Sequence, residues 1–125
     1  MGVTEAEVHN RAIDWFEEKG LRVLSPSEIH YELAYDTFQY RPDFFVMPKN
    51  ARRKVIAIEA KGSNLEPLRL LGQLLAYSLR YGGVCAAIPE SKVHILKKLR
   101  TQIRRKITGF DFEILSIGSN HIKRI

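Results

Sequence analysis

Two short apolar runs, Phe44-Phe-Val-Met47 and Val55-Ile-Ala-Ile58, flank a basic turn, Pro48-Lys-Asn-Ala-Arg-Arg53. No other stretch constrains the fold as much. Runs of this length, rich in β-branched and aromatic residues and bounded by turn residues, read as neighbouring antiparallel strands. The second run extends to Lys61 and is apolar at consecutive positions, the mark of a strand buried on both faces. Such a sheet needs helices to cover it, and the flanking sequence supplies them.

Thr4 followed by Glu7 is a capping-box pattern, which opens a helix over Glu5 to Lys19 with Gly20 as its stop. Leu21 to Leu24 reads as a strand, Ser25-Pro-Ser as a break, and Ile29 to Tyr35 as a further strand on its alternating pattern. Asp36-Thr-Phe-Gln39 is a loop. After the two apolar runs, Leu65 to Tyr81 reads as a helix with Pro67 in its first turn. Leu68, Leu71, Leu75 and Leu79 are its expected inward stripe. Val84 to Ile88 is a strand. Ser91 caps a third helix whose apolar line is Leu96, Leu99, Ile103 and Ile107, and Phe110 to Ile117 closes the chain as a last strand. The expected architecture is an α/β sandwich around a mixed central sheet, with an αβββαβ core plus a C-terminal helix and strand.

At 125 residues, with 45% of them hydrophobic, residues 1–125 form a single domain with a real core. No apolar run approaches the ~20 residues that span a bilayer, so no membrane is expected. The N-terminus carries no secretory pattern, and Cys85 is the one cysteine, so the expected compartment is the cytoplasm. A lone thiol excludes an intrachain disulfide, a Cys-based zinc site and an iron–sulfur cluster. The net charge of +6 is compatible with a polyanionic partner. Between Ser91 and Lys106 the charged residues are all basic: Lys92, Lys97, Lys98, Arg100, Arg104, Arg105 and Lys106.

The chemistry concentrates at the ends of the paired runs. Alternation along a strand puts Glu59 and Lys61 on one face, and a hairpin turn near Asn50 sets Asp43 abreast of Glu59. Two carboxylates this close repel unless a cation lies between them. With a main-chain carbonyl between them they form the oxygen-rich, partly hydrated arrangement that Mg²⁺ or Mn²⁺ prefers. An ammonium at Lys61 would hold an attacking water and stabilise charge on a phosphorane, so phosphodiester hydrolysis suits the set.

Pro42-Asp43 followed by Glu59-Ala60-Lys61 resembles the PD-(D/E)xK nuclease superfamily. Gln73-Leu-Leu-Ala-Tyr77 resembles the Gln-x-x-x-Tyr motif of its RecB-like branch. The resemblance implies a restriction-endonuclease-like three-layer sandwich and a Mg²⁺-dependent deoxyribonuclease, an exonuclease or endonuclease core acting on DNA. It implies Asp43, Glu59 and the Ala60 carbonyl as metal ligands, Lys61 as catalytic, and Gln73 and Tyr77 as supports of the site or the substrate strand. RecB-like nucleases place a histidine on the first helix and Holliday-junction resolvases a glutamate, which His9 and Glu5 respectively match.

The chain lacks the cluster cysteines and the added length of many RecB-like exonucleases, and so reads as a bare catalytic core. A dimeric Holliday-junction resolvase is the alternative within this class, and an enzyme acting on RNA remains a further one. Outside it stands a non-catalytic nucleic-acid-binding subunit of a DNA-processing complex. Arg41, Arg52, Arg53, Lys97, Lys98, Arg100, Arg104 and Arg105 are the candidate phosphate contacts, weighed against a merely solvated face. Tyr31, Tyr35, Phe38 and Tyr40 fit packing across the sheet better than stacking on bases.

Overall fold

The computed structural model describes residues 2–30, 41–49 and 55–125. Helix α1, Glu5–Glu18, starts on the expected capping box: Thr4 Oγ1 accepts the Glu7 N–H and the Glu7 carboxylate accepts the Thr4 N–H, each at 3.2 Å. Gly20, at φ +81°, turns the chain out of it. Strand β1, Leu21–Leu24, follows as expected.

The next segment departs from expectation. Pro26–His30 is a short helix, α2, so Ile29 and His30 do not begin a strand. Ser25-Pro-Ser-Glu28 is a helix start rather than a break, because the Glu28 carboxylate accepts both the Ser25 N–H and the Ser25 hydroxyl at 3.1 Å. The remainder of the expected strand, the loop after it and the aromatic residues between 31 and 40 lie outside the described residues.

Strands β2, Phe44–Pro48, and β3, Ile56–Ala60, pair antiparallel with Phe44 opposite Ile58 and Val46 opposite Ile56. Helix α3, Pro67–Ser78, crosses over to β4, Gly83–Pro89, which runs parallel to β3. A 3₁₀ turn, Glu90–Lys92, leads into α4, Val93–Lys106, so Ser91 lies in that turn and does not cap the helix. Strand β5, Glu113–Ile117, is parallel to β4, and β6, Ile122–Arg124, returns antiparallel along its edge. β6 is too short and too basic to read as a strand; the Gly118 N–H bonded to the His121 carbonyl at 2.8 Å closes its hairpin. The expected last strand is shorter at its start, where Phe110 and Phe112 enter the core instead.

Among the described residues these strands form one mixed sheet in the order β1-β2-β3-β4-β5-β6. Alternation sorts the side chains into two layers. Phe44, Val46, Ile58, Ala60, Cys85, Ala87, Leu115 and Ile117 pack under Val8, Ala12 and Phe16 of α1. Phe45, Met47, Ala57, Val84, Ala86, Ile88 and Ile114 pack under α3 and α4. The result is an α/β sandwich with helices on both faces of a mixed sheet. Among the described residues, leaving α2 aside, α1-β1-β2-β3-α3-β4 matches the expected αβββαβ order, but its three strands are Leu21–Leu24 and the two apolar runs, without the further strand read from Ile29. No helix among the described residues is long and apolar enough to cross a membrane.

Helix α3 corrects the expected core. Leu70, Leu74 and Tyr77 are buried, whereas Leu68 and Leu79 are 76% and 80% exposed and Leu75 is 45% exposed. The helix carries leucines on two stripes, and either satisfies a 3.6-residue period. Tyr77 decides between them, because its hydroxyl finds a buried partner, Glu59, on the sheet face beneath the helix. In α4 the buried line is Val93, Leu96 and Arg100, while Ile107 lies beyond the helix end and is 52% exposed.

Candidate active site

The β2–β3 register carries Asp43, one residue ahead of β2, to the position opposite Glu59, with the Asp43 N–H bonded to the Ile58 carbonyl at 3.0 Å. Both side chains fall on the sheet face that α3 covers. Asp43 Oδ2 accepts the Ala60 N–H at 2.7 Å, which fixes that carboxylate against the strand. Glu59 is only 4% exposed. Its Oε1 accepts the Tyr77 hydroxyl at 2.8 Å, and its Oε2 lies 3.3 Å from Lys61 Nζ. The Tyr77 proton is shared with the Arg41 carbonyl, 3.3 Å away.

These surroundings raise the Glu59 carboxyl from 4.5 to about 7. Burial is the largest cause and the Asp43 charge the second, while Tyr77 and Lys61 pull the other way. The Tyr77 phenol is driven well above its ordinary value by burial and by Glu59, so it stays a proton donor. Lys61 is fixed at its backbone by an N–H bond to the Ala87 carbonyl of β4 at 3.0 Å. Its ammonium lies within reach of a second carboxylate, Glu5 Oε1 of α1, at 3.8 Å. A cleft of about 370 Å³ opens beside it, lined by Glu5, Lys61, Ser63, Asn64 and Arg69 among others.

Asp43, Glu59 and Lys61 are therefore brought together, and Tyr77 joins them as a hydrogen-bond donor to Glu59 rather than as a nucleic-acid contact. Gln73 lies one helical turn before Tyr77; its Oε1 is buried without a hydrogen-bond partner among the described residues. His9 is not in the group. It packs edge-on against Phe44, ring centroids 5.2 Å apart, on the sheet face away from Glu59. Of the two first-helix candidates, Glu5 is the one that reaches the site.

The candidate phosphate contacts divide. Arg100 is buried and donates to the Phe112 and Ile125 carbonyls at 3.3 and 2.9 Å, so it ties the C-terminal strand down and is unavailable to a ligand. Arg104 is held by Asp111 through two bonds of 3.0 and 2.9 Å. Arg41, Lys97, Lys98 and Arg105 are exposed, and Arg52 and Arg53 lie outside the described residues.

Among the described residues no three His, Cys, Asp or Glu side chains form a metal-holding group. What is present is a two-carboxylate set of hard oxygen donors, the Ala60 carbonyl next to Glu59 in sequence, and a Glu59 carboxyl raised by burial first and by the Asp43 charge second. That set fits a cation such as Mg²⁺, which commonly takes one or two carboxylates and keeps several waters. The orphaned Gln73 oxygen is a further unsatisfied acceptor one turn along α3 from Tyr77. Comparison with protein-family models, curated proteins and solved structures returned no match.

Proposed function

We propose that this chain is a Mg²⁺-dependent deoxyribonuclease of the PD-(D/E)xK type, hydrolysing DNA phosphodiester bonds on a restriction-endonuclease-like fold. One observation carries the reading. A buried glutamate opposed to an aspartate across two strands, with a lysine two residues on, is a costly arrangement to keep in a metal-free core. A structural role would be met more cheaply by apolar residues, so the pair is better explained by a cation and by chemistry.

Asp43, Glu59 and the Ala60 carbonyl would hold the metal, and when bound it would polarise a phosphate oxygen and lower the pKa of a water. The chain's own residues account for the rest. Tyr77 fixes the rotamer of Glu59, and the Ala60 N–H fixes that of Asp43. Lys61 brings a positive charge to the mouth of the cleft, where it offsets the negative charge that builds on phosphate oxygens as water attacks phosphorus and the P–O ester bond breaks. Lys97, Lys98 and Arg105 offer exposed positive charge for the DNA backbone.

The test is a panel of linear, circular, single-stranded, flap and four-way DNA with Mg²⁺, Mn²⁺ or chelator, run on wild type, Glu59→Gln and Lys61→Ala. Cleavage that chelation stops and both substitutions abolish is the expected outcome; full activity in Lys61→Ala refutes the mechanism. Symmetric cutting of the four-way junction alone would select the resolvase reading, which gains support from Glu5 rather than His9 approaching the site. A non-catalytic nucleic-acid-binding subunit is the second reading, supported by there being no metal-holding group of three His, Cys, Asp or Glu side chains among the described residues. Salt-sensitive DNA binding without cleavage under any metal would decide for it.

A further inference from the structure

We infer that Glu5 is a positioning residue for Lys61, held in place by a latch between the start of α1 and the Gly62-Ser63 step that follows the lysine. The consequence for catalysis rests on the nuclease reading, but the latch is a matter of geometry. The Val3 N–H donates to Ser63 Oγ at 2.7 Å, and the Ser63 N–H donates to the Val3 carbonyl at 2.8 Å. Gly62 lies so close to the helix start that a Cβ there would meet Val3 O at 2.6 Å and Glu5 N at 2.7 Å. Only a residue without a side chain permits that approach. The Leu65 N–H, bonded to the Gly62 carbonyl at 3.2 Å, closes the turn behind it. The capping box then sets the first turn of α1, in which Glu5 stands.

The ammonium of Lys61 is thereby given two carboxylates of opposite character. The Glu59 side chain is 5% exposed and that of Glu5 58% exposed. Glu59 alone would draw the ammonium inward. Glu5, which lines the cleft together with Lys61, draws it toward that cleft. An acid in the first turn of a helix also complements the helix dipole, so a stability change alone would not separate the two roles.

The experiment pairs kinetics with a direct view of the lysine. Glu5→Gln should lower kcat about fivefold with KM nearly unchanged, the size expected of one partly exposed ion pair acting in the transition state. Ser63→Ala, milder than any substitution at Gly62, should lower kcat in the same sense. The double variant should be no slower than Glu5→Gln, because both act through one contact. In the metal-free protein the side-chain NMR signal of Lys61 should move in both single variants. Losses that multiply in the double variant, or a Lys61 signal unmoved by both substitutions, overturn the latch. If the wild type cleaves no DNA while both substitutions move that signal, the nuclease reading fails and the latch stands.

Discussion

Replacing Glu59 by glutamine in metal-free protein should stabilise the fold at neutral and alkaline pH, and should remove a pH dependence that the wild type carries. The carboxyl is raised from 4.5 to about 7, by burial first and by Asp43 second. Below 4.5 it is protonated in the folded and the unfolded chain alike and contributes nothing to the difference. As pH rises further, the unfolded chain ionises while the folded one keeps its proton, so stability falls; above about 7 both are ionised and the loss is complete. Each pH unit in that window costs about 1.4 kcal/mol, which makes the full loss about 3 kcal/mol. That is a substantial part of the ~5–15 kcal/mol that holds an ordinary domain together.

Urea unfolding in chelator, followed through the single tryptophan, Trp15, measures it. The gap between Glu59→Gln and wild type should be small near about pH 5 and reach about 3 kcal/mol near about pH 8.5; taking the difference cancels the other titrating groups. Saturating Mg²⁺ should close the gap by binding the folded wild type and should do little for the glutamine variant. A gap that does not widen with pH would refute the account of Glu59 as a strained, charge-crowded carboxyl.

Tyr77→Phe removes the hydroxyl that favours the ionised Glu59, so it should raise that carboxyl further and cost about 2 kcal/mol at alkaline pH, with less loss in acid; the same titration reads it. Leu74→Ala should cost about 2–5 kcal/mol, whereas Leu68→Ala and Leu79→Ala should stay within about 0.5 kcal/mol. Equal costs at the three positions would contradict the orientation of α3. Cys85 is 1% exposed and its thiol is pushed up to about 12 by burial. It should resist thiol reagents in the folded protein and react on denaturation, a contrast that absorbance assays report.

The sequence by itself determined the elements with strong local signals and the acidic ends of the paired strands. The α1 capping box, the two apolar runs and the crossover to Val84 could be read because capping chemistry and period-2 or period-3.6 patterning are properties of neighbouring residues. The same alternation placed Asp43, Glu59 and Lys61 together, since strand faces follow from parity alone. Where two patterns were equally periodic, the chain could not choose. The leucines of α3 fit two stripes, and only packing against the sheet, with Tyr77 reaching Glu59, turned Leu70 and Leu74 inward and left Leu68 and Leu79 outside. Charge was ambiguous for a similar reason. Arg100 and Lys97 look alike along the chain, yet one is buried on the Phe112 and Ile125 carbonyls and the other is exposed. Asp43, Glu59 and Lys61 were thus legible from parity. The Glu5–Lys61 pair and the Gly62-Ser63 latch were not, because they join residues some sixty positions apart, and only the tertiary fold sets such distances.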